Sequence, residues 1–94
     1  MVDFINIRTL FGIAHCGNIT DYARDDIADE VYVVSVDGVR LGTVKVYEAL
    51  SPEIKFQGLS NDLVFRQDFV SCSGPSMQEV VDELMHFAHQ KGIV

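Results

Sequence analysis

The sequence predicts an α+β domain: a four-stranded antiparallel sheet on a central hairpin, with an N-terminal helix and a C-terminal helix packed on it. Three observations carry this. Residues 31–47 read V-Y-V-V-S-V-D-G-V-R-L-G-T-V-K-V-Y, two β-branched and aromatic runs around Asp37-Gly38. Asp-Gly suits a type I′ turn, whose two central residues both take positive φ. Ser76-Met77-Gln78-Glu79 has capping-box spacing, and Gly92 lies where a helix so begun would close. Finally, the connections are too short for parallel crossovers.

In chain order, residues 3–16 predict the N-terminal helix. Asp3 caps it, Phe4, Ile7, Leu10, Phe11 and Ala14 recur at helical spacing, and Gly17 ends it. Residues 18–30, N-I-T-D-Y-A-R-D-D-I-A-D-E, allow a short helix capped by Thr20 or Asp21, with Tyr22 and Ile27 inward. With Asp37-Gly38 as the turn, Val36 faces Val39, Val34 faces Leu41 and Tyr32 faces Thr43. Tyr32, Val34, Val36, Val39, Leu41 and Tyr47 then share one face, and Val31, Val33, Val44 and Val46 the other. Residues 53–58 alternate as an edge strand, with Ile54 and Phe56 on one side. Residues 63–70 form the last strand, and 71–75, S-C-S-G-P, break the pattern. Met77, Val80, Val81, Leu84 and Ala88 give the final helix its core stripe, with Met85 and Phe87 at the margins and Ile93 folding back onto the last turn.

Ninety-four residues make one domain, 1–94, and an apolar fraction of 48% excludes a disordered chain. Fourteen acidic against seven basic residues give a net charge of -7, which repels nucleic acid and anionic membrane and favours basic partners. Two cysteines, Cys16 and Cys72, in no metal-type spacing point to reduced thiols and a cytoplasmic protein. The N-terminus has no signal-peptide pattern, and no apolar run approaches the ~20 residues of a membrane span. Two apolar hairpin faces and a helix apolar around most of its circumference suggest a homodimer.

No catalytic or cofactor constellation emerges. His15, His86, His89 and the cysteines lack the paired spacings of a zinc site, so no metal and no cofactor is expected. Adjacent helical side chains diverge by ~100°, so His15 cannot serve Cys16 as a base; Cys72, in a small-residue loop, is the best candidate nucleophile. The glycines form no phosphate loop and the cations no basic stripe. The acids do cluster: Asp21, Asp25, Asp26, Asp29 and Glu30 along one segment, with Tyr22 and Ile27 as apolar anchors, and Glu79, Asp82 and Glu83 on the last helix. These ten residues are the expected partner-binding set, matched to a surface of Lys and Arg built to hold phosphates.

In size, acidity and layout, with the D-G hairpin of 31–47 followed by the S-x-x-E helix of 76–91, the chain resembles accessory proteins of phages and mobile elements, including anti-CRISPR and anti-restriction inhibitors. The resemblance implies a non-enzymatic inhibitor that binds a basic, nucleic-acid-handling host protein. Two other readings stand beside it: an antitoxin-like regulatory or dimerising subunit, and a small cysteine-dependent enzyme.

Overall fold

A computed structural model describes residues 3–23, 25–61 and 70–94. Among them, six strands form one antiparallel sheet in sequence order: β1 (Phe4–Thr9), β2 (Gly12–Asn18), β3 (Glu30–Val36), β4 (Val39–Val46), β5 (Phe56–Ser60) and β6 (Ser71–Gly74). A 3-10 turn, Pro52–Ile54, precedes β5, and one α-helix, α1 (Met77–Gln90), follows β6. The expected four-stranded sheet with helices at both ends is therefore corrected, among the described residues, to six strands and one C-terminal helix. The first turn of α1 meets both sheet edges: Gln78 Nε2 donates to the Arg8 carbonyl of β1 at 2.8 Å, and Glu79 lies against Gly74 of β6. A sheet whose two outer strands reach one helical turn must curl around it, as the accumulated twist of six strands allows.

The expected helix over 3–16 is the β1–β2 hairpin. Ile5, Ile7, Ala14 and Cys16 turn inward, while Phe4, Asn6, Arg8, Ile13 and His15 turn out, a period of two that the apolar stripe at 3.6 had masked. Gly12 decides between them. Its φ of +123° is open to glycine and cannot continue a helix. Thr9 closes the turn, its Oγ1 donating to the Gly12 carbonyl at 2.7 Å and accepting from Phe11 N–H at 3.2 Å. Nor do the described residues of 20–30 form a helix. They follow turns and bends, with Asp25 Oδ1 accepting from the N–H groups of both Ile27 and Ala28.

Asp37 and Gly38 take positive φ, 50° and 81°, as a type I′ turn requires. Val36 faces Val39 as expected, but a bulge at Leu41 then moves the register by one, so Val34 faces Gly42 and Tyr32 faces Val44. One inserted residue reverses the alternation of everything beyond it. The core face therefore gathers Tyr32, Val34, Val36, Leu41, Val44 and Val46, and the expected division into two apolar faces is overturned. Glycine is required at position 42, where a Cβ would run into the Leu59 carbonyl of β5.

Val31 faces away from the core and is nonetheless buried. The 19–29 segment is tied to its strand: Ile19 N–H donates to the Val31 carbonyl, and Val31 N–H to Thr20 Oγ1.

Beyond the hairpin, residues 53–54 belong to the 3-10 turn and β5 runs two residues further than expected, to Ser60. It lies inside the sheet, the edges being β1 and β6. The strand expected over 63–70 falls outside the described residues except for Val70, which exchanges hydrogen bonds with Ser60 through Ser60 N–H (2.9 Å) and Ser60 Oγ (2.7 Å). Residues 71–74, expected to break the pattern, are β6.

Helix α1 forms as expected. Ser76 Oγ accepts from Glu79 N–H at 3.3 Å. At its end, Ile93 N–H bonds the Ala88 carbonyl and Gly92 N–H the His89 carbonyl, the two bonds of a Schellman motif, with Gly92 at φ +74°. Val80, Val81, Leu84, Met85 and Ala88 are buried. Val80 and Leu84 sit directly over Gly58, where any Cβ would strike Val80 and Cys72.

Candidate functional site

The helix is amphipathic, so what lies opposite its buried stripe is decided by the same periodicity. Glu79, Asp82, Glu83 and His86, at i, i+3, i+4 and i+7, form one exposed row. Because the sheet edges rise on either side, that row floors a groove of about 530 Å³. One wall is the β1–β2 turn with Thr9, Leu10 and Phe11; the other carries Ser73 of β6. Leu10, at the tip, is 95% exposed. Phe11 is held by the helix, its ring stacked on His89 at 4.1 Å between centroids and 6.0 Å from His86. Asp82 accepts from Gln78 Nε2 at 3.0 Å, the same amide that bonds Arg8. Three carboxylates, an apolar wall and an imidazole thus share one concavity. That arrangement suits a cationic side chain with an aliphatic stem.

The second expected set, residues 21–30, is disposed differently. Asp25 is an internal ligand of the backbone: it forms a 2.6 Å ion pair with Lys45 besides accepting the two N–H groups of Ile27 and Ala28. The Lys45 hydrogen bond, then those N–H groups, pull its carboxyl down to about 2. The same bond raises the Lys45 ammonium. Asp29 accepts from Glu48 N–H at 2.7 Å, and Glu30 from the Tyr32 hydroxyl at 3.4 Å. Asp21 and Asp26 are exposed, and so are Tyr22 (83%) and Ile27 (81%), which do not turn inward.

Both thiols are held protonated. Burial pushes Cys16 up to about 11 and, aided by the neighbouring Glu83 carboxylate, pushes Cys72 up to about 12. A buried thiol so raised is a poor nucleophile at neutral pH. Among the described residues no three His, Cys, Asp or Glu side chains converge as metal ligands, and no helix is long and apolar enough to cross a membrane.

Of the ten expected site residues, the structure brings Glu79, Asp82 and Glu83 together in the groove, with His86 beside them. It adds Thr9, Leu10, Phe11 and Ser73, which lay in segments read as helix and as a break. The signal was present in T-L-F-G, a two-residue turn between alternating runs. No family model, characterised protein or solved structure matches the chain.

Proposed function

We propose that the protein is a non-enzymatic inhibitor that binds a basic surface of a nucleic-acid-handling protein, with the groove over α1 as its principal contact. One observation carries the reading: Glu79, Asp82 and Glu83 stand in a concavity whose wall offers Leu10 and Phe11. Charge steers the encounter and an apolar anchor holds it; the groove supplies both in one place. A Lys or Arg evolved to meet phosphate finds there a fixed row of carboxylates, and the overall charge of -7 adds to the attraction. Asp21, Asp26, Tyr22 and Ile27, all exposed, are the remaining surface members of the contact set and line no part of the groove.

The test is retention of a host protein by the immobilised chain. Wild type is expected to retain a basic, nucleic-acid-binding protein in a salt-sensitive manner and to displace its nucleic acid. Combined Glu79→Gln, Asp82→Asn and Glu83→Gln should weaken retention by ~100-fold or more. Undiminished retention by that variant would remove the groove from the interface.

A further inference from the structure

The two edges of the sheet are not alike. Strand β6 spans four residues and runs straight into Pro75, with Gly74 buried beneath Glu79, so it offers little to an incoming strand. Strand β1 spans six residues, F-I-N-I-R-T, without proline or lysine. Three observations show how its backbone is used. Asn18 N–H donates to the Asp3 carbonyl at 2.7 Å, Thr9 pairs with Gly12 at the turn, and the Arg8 carbonyl takes the side-chain amide of Gln78. In an antiparallel ladder, bonding and outward residues alternate. Asp3, Ile5, Ile7 and Thr9 therefore bond β2, and Phe4, Asn6 and Arg8 direct their amide groups away from it.

We propose that β1 is a homodimer interface, pairing antiparallel with β1 of a second copy about a two-fold axis at Asn6 to make a continuous twelve-stranded sheet. This rests on the edge and not on the proposed function, although at Arg8 the edge adjoins the groove through Gln78, which bonds both the Arg8 carbonyl and Asp82. The occupant follows from the register. With Asn6 opposite Asn6, outward-bonding residues meet outward-bonding residues, Phe4 opposite Arg8 and Arg8 opposite Phe4. On the exposed face this sets each guanidinium against an aromatic ring already braced by His15, stacked at 4.8 Å. On the core face it sets half-buried Ile5 against Ile7. No like charges oppose one another, since Asp3 falls opposite Thr9. In a chain of net charge -7, this strand is locally balanced by Asp3 and Arg8, which is what a self-association needs. A carbonyl oxygen accepts two hydrogen bonds, so the Phe4 N–H of the second copy joins Gln78 at Arg8.

An edge pairing is smaller than a standard interface, so the expected dissociation constant lies in the micromolar range. Sedimentation equilibrium of the full chain at high micromolar concentration should give twice the monomer mass. Asn6→Pro deletes one outward N–H from each copy and should raise the dissociation constant ~100-fold while leaving the intrachain ladder whole. Amide exchange on the wild type covers the case in which that variant misfolds. The Phe4, Asn6 and Arg8 amides should become protected as concentration rises into the dimer range. A monomer at high micromolar concentration overturns the inference, as does any assembly in which those three amides exchange freely.

Discussion

Two sets of carboxylates of similar density sit on this chain, one in the 21–30 segment and one on α1, and they are spent in different ways. In the segment, backbone geometry leaves N–H groups without ladder partners, and the acids satisfy them: Asp25 serves Ile27 and Ala28, and Asp29 serves Glu48. On the helix, the i→i+4 ladder already occupies the backbone, so Glu79, Asp82 and Glu83 remain turned to the groove. Local acid density is therefore no guide to function by itself. What decides is whether the backbone beneath is self-satisfied.

The largest perturbation is expected beneath the helical set, which rests on packing. Leu84 is fully buried over Gly58, and Leu84→Ala should cost ~2–5 kcal/mol in chemical denaturation. A loss below ~1 kcal/mol would show that the groove floor does not rest on that stripe.

A smaller, pH-dependent effect should mark the segment. The Asp25 carboxyl is depressed in the folded state from 3.8 to about 2. Its stabilisation is therefore complete above roughly pH 4 and lost as pH falls through about 2. Asp25→Asn should melt below wild type at neutral pH, and the gap should close across that acid window. A gap that stays constant down to pH 2 would mean that the Lys45 pair contributes nothing through its charge.

The smallest effect belongs to the helical acids themselves. The combined variant Glu79→Gln, Asp82→Asn, Glu83→Gln should change stability by no more than ~0.5 kcal/mol, as exposed substitutions do. A loss beyond ~1.5 kcal/mol would place these acids in the structural class with Asp25 and erase the contrast.

The sequence by itself determined what is local. The Asp37-Gly38 turn, the Ser76 cap and the Gly92 end of α1 follow from interactions within a few residues and stand as expected; so does the α1 core stripe, except that Met85, expected at its margin, is fully buried and Met77 only partly so. The helical acids were legible for the same reason, a stripe's opposite face being set by its own periodicity. Tertiary structure decided the rest. Phe4–Ala14 fits a helical stripe as well as a strand, and the choice was made by Gly12 and by β3 waiting to pair with β2. The bulge at Leu41, which turned Val44 and Val46 into the core, lies beside Gly42, where the close approach of β5 demands a glycine; that approach is a tertiary contact. The groove exists only because the two ends of a curled sheet meet one helical turn, a closure between residues some seventy positions apart that no local pattern encodes.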